Sequence, residues 1–234
     1  MDTSLKARLD ELRQVFNRNR VKRFRAPYDM KEVLECIEQI GNMFVSGFKI
    51  DHDNHLAFID LIKYFFADQT FTGDLYGGLL LRGAPRTGKT LALMIMNRVS
   101  QLYDLHYEFD GKKYGFQFFI EDTGDIARKY EDKGNSALKN GNTKRLYCLD
   151  DLGFENNLVK FYSGDCNVVR EIITCRDMLK KTHGFITAAT TNYKYDIPDP
   201  ASGKRIFVKL YGDRVELRMK GMFTEIIFKG NPRI

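Results

Sequence analysis

At 234 residues, with 43% hydrophobic and 29% charged side chains, the chain has room for one α/β domain and a small appendage. This composition is ordinary for a soluble globular protein. No apolar run approaches the roughly 20 residues that span a bilayer, and the charged N-terminus lacks a signal-peptide core, so the chain is expected in the cytoplasm.

The net charge of +6 is unevenly placed. Residues 1–26 carry Lys6, Arg8, Arg13, Arg18, Arg20, Lys22, Arg23 and Arg25 against Asp2, Asp10 and Glu11, a net +5. Such a cluster suits a polyanion such as nucleic acid; a solvated arm or a protein-docking segment reads equally well. Cys36, Cys148, Cys166 and Cys175 lack C-x-x-C spacing and read as reduced thiols rather than a disulfide frame or a zinc site.

Leu5, Leu9, Leu12 and Phe16 predict a helix over 4–24, stopped by Pro27. Asp29 can cap a second helix with Val33, Leu34, Ile37, Ile40 and Phe44 on its apolar face. Phe48-Lys-Ile50 is a short apolar segment before a third helix at about 53–67. His52 and His55, with Asp51 and Asp53 nearby, read as a solvated helix start before a metal site. Gly77–Arg82 reads as a buried strand and Leu91–Met96 as the start of a helix. Tyr103–Phe109 leads to the turn signal Asp110-Gly111. Phe116–Ile120 is the next expected strand, followed by a helix from Asp125 and a polar loop over Gly134–Asn142. Arg145–Gly153 is a strand, 167–181 a helix, and Gly184–Asn192 a fourth strand. A loop over 193–204, one helix over 206–221 and a fifth strand, Phe223–Phe228, complete the order. Strands alternating with helices imply a parallel sheet with a site at the strand carboxyl ends.

Between the first strand and its helix stands Gly83-Ala-Pro-Arg-Thr-Gly-Lys-Thr90, which reads G-x-x-x-x-G-K-T. Strand–loop–helix flanks are the context in which this pattern cradles phosphate. The stretch Gly83, Ala84, Pro85, Arg86, Thr87, Gly88, Lys89, Thr90 and Leu91 is expected to wrap the anion at a helix N-terminus, with backbone N–H groups from every residue but Pro85 available as donors. Lys89 is expected on the β- and γ-phosphates of ATP and Thr90 on Mg²⁺. Asp150 and Asp151 end a strand, where one carboxylate can hold Mg²⁺ and another can activate water. Asp150 suits the metal role and Asp151 the base role, with Glu155 a second candidate base. Asn192 ends the fourth strand, where an amide could bond the γ-phosphate or the attacking water. Arg214 and Arg218, four apart, share one helix face.

The motif order Gly83–Thr90, Leu149-Asp-Asp-Leu-Gly-Phe-Glu155, Thr190-Thr-Asn192 and Tyr211-Gly-Asp-Arg-Val-Glu-Leu-Arg218 resembles the AAA+ ATPases of the DnaC-like helicase-loader and IstB-like transposition-helper group. The resemblance covers about 45–234 and divides the chain into a basic helical segment, 1–45, and a P-loop ATPase core, 46–234. It implies a five-stranded parallel sheet flanked by helices, of the ASCE class. It places Asp150 and Asp151 as the Walker B pair, Asn192 as sensor 1, and Arg214 or Arg218 as an arginine finger acting on a neighbour. Gly230-Asn-Pro-Arg233 departs from the group's usual Gly-x-Ser-x-Arg ending, and Arg86 stands where its loops usually carry glycine. The chain stops after the fifth strand, which leaves no room for a full helical lid; any homo-oligomer is then expected to be weak or partner-dependent.

These readings converge on an ATP-driven factor that loads or remodels a DNA-transaction machine. The implied partners are a replicative helicase or a transposase and single- or double-stranded DNA, with no membrane. A small-molecule kinase would use the same loop but leave the carboxylate pair, Asn192 and the arginines without a shared purpose. A non-hydrolysing, ATP-gated adaptor is the third reading. A GTPase is disfavoured because no Asn-Lys-x-Asp motif is present.

Overall fold

The computed structural model describes residues 5–10, 21–156, 158–162, 164–194, 198 and 203–230. In chain order the elements are β1 (Lys22–Arg23), α1 (Met30–Phe44), α2 (His55–Phe65), β2 (Gly78–Gly83), α3 (Lys89–Leu102), β3 (His106–Phe109), β4 (Lys112–Gly115) and β5 (Phe119–Asp122). There follow α4 (Thr123–Lys133), a 3₁₀ turn (Gly134–Leu138), α5 (Lys139–Thr143), β6 (Leu146–Asp150), β7 (Val159–Phe161), β8 (Gly164–Cys166), α6 (Val168–His183), β9 (Ile186–Thr191), α7 (Ile206–Tyr211), α8 (Asp213–Met222) and β10 (Phe223–Phe228).

The central sheet has the order β10-β2-β9-β6-β5, and every neighbouring pair is parallel. All five expected sheet strands are present. Both faces are covered, so β2 reads as a run of leucines rather than an alternation. The alternation survives in where they point. Leu79 and Leu81 enter one cluster, with α1, α2 and α3, while Leu80 enters the other, with α4, α6, α7 and α8. Each of these leucines is fully buried.

Asp29 caps α1 by accepting from Glu32 N at 2.9 Å, which contributes about 1 kcal/mol. Val33 and Ile37 then enter the same cluster as Leu79 and Leu81. Asp110 and Gly111 both adopt positive φ, 50° and 70°, as the two-residue turn between β3 and β4 requires.

Four expectations need correction. The first helix does not run to residue 24. Residues 5–10 are helical and residues 11–20 lie outside the described ones, but Lys22 and Arg23 pair antiparallel with β3. Arg23 is drawn out of any helix by the core: its guanidinium sits 3.7 Å from the Phe116 ring centroid and donates to Leu75 O and Phe65 O. The strand expected at Phe116 enters the sheet only at Phe119, because Phe116 and Phe118 are buried among aromatic rings below it. Asn97 holds that entry by accepting from Phe118 N and donating to Phe118 O, both at 2.8 Å. The polar loop 134–142 is a 3₁₀ turn and a short helix, with Ala137 and Gly141 turned inward. The helix over 206–221 is two helices. Gly212 breaks it at φ 87° and ψ 159°, a region open to glycine alone.

Candidate functional site

The carboxyl ends of β2, β6 and β9 converge on a cavity of about 830 Å³. The loop after β2 forms its floor. Gly83 cannot carry a side chain, since a Cβ there would lie 2.2 Å from Phe228 O. Gly88 caps α3 in the left-handed region at φ 89°. Arg86 adopts φ 61°, the conformation glycine would take, so the loop keeps its shape at a cost of about 1–2 kcal/mol. Thr87 Oγ1 donates to Ala84 O at 2.9 Å and closes the loop on itself.

Lys89 extends back over this loop. Its Nζ donates to Gly83 O at 3.1 Å, Ala84 O at 2.9 Å and Asn192 Oδ1 at 2.7 Å. Burial pulls its pKa down, against the opposing pull of Asp151 and Asp150. Thr90 Oγ1 donates to Asp150 Oδ1 at 2.7 Å. Asp151 lines the cavity, and burial raises its pKa, with the charge of Asp150 adding to the effect. The structure therefore brings Lys89, Thr90, Asp150, Asp151 and Asn192 into one constellation from three separate stretches of chain.

Other expected site residues lie elsewhere. Glu155 is buried and does not line the cavity; its carboxylate accepts from Gly153 N at 2.9 Å and from the Tyr211 hydroxyl. It ties the turn after β6 to α7, away from the cavity lining. Arg214 is exposed on α8, and Arg218 donates to Thr174 O at 3.4 Å and lies 3.8 Å from Asp177. Neither arginine lines the cavity. Arg233 lies outside the described residues. Asp51, His52 and Asp53 come together, but Asp51 Oδ1 accepts from Asp53 N and Asn54 N as a turn cap.

Sequence reasoning missed the other wall of the cavity. Val45, Phe48, Phe58 and Phe228 line it beside the loop, with Phe48 and Phe58 edge-to-face at 6.0 Å. Only the short apolar run Phe48-Lys-Ile50 hinted at this wall, and no spacing tied it to the loop. A flat apolar ring fits against such a surface, while Lys49 and Asp51 at its margin offer polar groups. Loop, wall and carboxylates together provide an anion cradle, an apolar slot and an oxygen-rich corner suited to a hard divalent cation.

No family model matches the chain, and no curated protein matches it. Solved structures do. The DnaC helicase loader superposes with a TM-score of 0.51 at 19% identity, over 79% of this chain and 95% of its own. DnaI superposes with a TM-score of 0.52 at 18% identity, over 84% of this chain and 93% of its own. The chain thus has the α/β P-loop NTPase fold of the DnaC helicase loader and DnaI, a five-stranded parallel sheet flanked by helices.

Proposed function

We propose that this chain is an AAA+ ATPase that binds Mg·ATP and uses its hydrolysis to load or remodel a replicative helicase on DNA. The observation that carries this reading is the meeting of Lys89, Thr90, Asp150, Asp151 and Asn192 at one end of the sheet. The likeness in fold to the DnaC helicase loader supports the choice of cargo over a transposase.

The residues present fit both cofactor and substrate. Thr90 and Asp150 would hold Mg²⁺, which when bound supplies charge neutralisation at the phosphate oxygens. The phosphates lie in the nest of backbone N–H groups from Gly83 to Leu91, and Lys89 exchanges its present carbonyl partners for phosphate oxygens. The base packs against Phe48, Phe58 and Phe228. Asp151 takes a proton from, or orients, the attacking water; its raised pKa moves it towards the range of a useful base. Asn192, already 2.7 Å from Lys89, reports whether a γ-phosphate is held there.

Nucleotide binding and turnover test the proposal separately. Lys89→Ala should weaken binding of a labelled ATP analogue at least about 100-fold, through loss of a charge-assisted contact in a buried site. Asp151→Asn should bind the analogue as the wild type does and turn ATP over about 10²–10⁴-fold more slowly. Normal binding by Lys89→Ala would remove the phosphate-loop assignment. Turnover raised by a phosphoryl acceptor rather than by single-stranded DNA would replace the loader with a kinase.

A further inference from the structure

The turn that carries the two carboxylates is not held by ordinary sheet pairing. β6 ends at Asp150 and the chain swings away at Asp151, whose φ of 54° lies in the left-handed region. Aspartate enters that region more readily than most residues, but still against a steric cost. β9 continues alongside, to Thr191. Where the β6–β9 ladder would otherwise lapse, hydroxyl groups take over. Asp151 N donates to Thr190 Oγ1 at 2.9 Å, and Thr191 Oγ1 donates to Leu152 O at 2.8 Å. Leu152 N still reaches Thr190 O at 2.8 Å, and Thr123 Oγ1 holds Asp151 O at 3.0 Å.

Thr190 differs from the other two threonines in touching both carboxylate residues. Its hydroxyl accepts from Asp151 N and donates to Asp150 Oδ1 at 2.6 Å. The same Asp150 oxygen accepts from Thr90 Oγ1, at 2.7 Å, so one atom joins the phosphate-loop helix, β6 and β9. Thr190 is fully buried, where a hydroxyl is retained at a cost unless its bonds are made. Here a single hydroxyl bonds both the Asp150 carboxylate and the Asp151 N–H, and so couples the rotamer of one to the backbone angle from which the other projects. Valine has nearly the same shape and suits a buried strand better, so packing does not explain the hydroxyl.

We propose that Thr190 is a positioning residue for the carboxylate pair. It sets the Asp150 oxygen where Thr90 and Mg²⁺ need it and aims Asp151 into the cavity, without touching substrate. This role rests on the ATPase reading above. It adds that the second threonine before Asn192 acts in metal use and turnover, not in holding the nucleotide.

The test compares Thr190→Val with Thr190→Ser in the full chain, by binding of a fluorescent ATP analogue across a Mg²⁺ titration and by ATP turnover. Losing the hydroxyl leaves the Asp151 N–H without its partner and the Asp150 oxygen with one donor fewer. Thr190→Val should therefore raise the Mg²⁺ midpoint for tight binding about tenfold and lower turnover about tenfold to a hundredfold. Affinity measured without Mg²⁺ should stay within about twofold. Thr190→Ser, which keeps the hydroxyl, should restore both quantities. If Thr190→Val does not fold, Thr190→Ala removes the same hydroxyl with less bulk and decides the matter. An unchanged Mg²⁺ midpoint overturns the proposal. So does an equal loss of Mg²⁺-free affinity, or a failure of serine to rescue, either of which marks a purely structural threonine. A wild type that binds the analogue neither with nor without Mg²⁺ overturns the ATPase reading, and this role with it, and is told apart by the wild-type titration alone.

Discussion

Lys89 and Arg176 are both buried cations with every N–H donor in use, yet they stand for opposite things. Arg176, fully buried on α6, donates from Nε to Thr187 Oγ1 at 2.6 Å. Its terminal nitrogens donate to the carbonyls of Gly141, Lys144, Arg145 and Ile186, which completes its five donors. The Tyr147 and Phe185 rings pack against it, at 5.1 and 5.4 Å. Burial pulls its pKa down to about 10, so it stays charged at neutral pH and locks the amino ends of β6 and β9 to α6. Lys89 also has three acceptors for three donors, but it borders a cavity of about 830 Å³. Two carboxylates lie within electrostatic reach of it. Saturated hydrogen bonding therefore does not separate a structural cation from a functional one. Open volume and a neighbouring charge do.

The largest test of this contrast uses cations that have neither burial nor a cavity of their own. Among the described residues, Lys49, Arg86 and Lys89 are the basic ones that line the cavity, while Arg214 and Arg218 lie on α8 away from it. If hydrolysis is completed between subunits, an α8 arginine meets transition-state charge in a neighbour's cavity. Arg214→Ala/Arg218→Ala should then lower the turnover of the assembled protein about 10³–10⁵-fold with ATP binding intact. Mixing it with Lys89→Ala should restore part of the rate each lacks. A rate independent of protein concentration, with no rescue on mixing under associating conditions, would leave these as ordinary surface arginines.

A smaller effect separates the two buried cations directly. Arg176→Met leaves four carbonyls and a hydroxyl without their donor and should cost about 3–5 kcal/mol. For a chain of this size that lowers Tm by roughly 6–20 °C. The affinity of the folded variant for ATP should change no more than about twofold. Lys89→Met should do the reverse, removing ATP binding while Tm moves by less than about 4 °C, because a flexible side chain beside open volume can be replaced without stranding buried groups. Loss of ATP affinity in folded Arg176→Met, at a temperature well below its transition, would join the two ends of the sheet into one functional unit.

The same contrast shows what the amino-acid order could reveal. Gly83–Thr90 was legible because a phosphate nest needs glycines and a lysine at fixed spacing. The inner strands β2, β6 and β9 were legible because burial on both faces demands apolar runs such as Leu79–Leu81. Arg176 and Arg23 were not legible, since a charged residue in a helical or basic stretch carries no mark of burial; their partners are carbonyls, which every residue has. The aromatic wall at Phe48 and Phe58 was hidden for a related reason. Its residues are apolar, as core residues are, and only the fold turns them towards the loop. The β7–β8 hairpin, three residues per strand, is too short to show a period. The break at Gly212 was passed over because the flanking residues keep helical spacing on both sides.

The smallest expected effect concerns the basic N-terminal segment, where the structure narrows what charge can do. Eight cations precede residue 27, but they are not equivalent. Arg23 is committed to the Phe116 ring and to core carbonyls, and burial pulls its pKa to about 10. Arg25 lies 3.2 Å from Asp68, with most of its side chain still exposed. Cutting at residue 26 would therefore remove a piece of the core along with the charge, and a cut after residue 20 is the cleaner experiment. It removes Lys6, Arg8, Arg13, Arg18 and Arg20 and leaves β1 paired with β3. If these five cations meet a single-stranded nucleic acid, each releases counterions on binding. The slope of log affinity against log salt should then become shallower by up to about 3.5, at roughly 0.7 per cation. ATP binding and Tm should not move, since the cut spares Arg23 and the cap at Asp29. Affinity for single-stranded DNA between 50 and 200 mM salt, about the range over which such slopes are resolved, gives the answer. An identical slope in the truncated protein would assign any polyanion contact to the folded core and leave the arm for another partner.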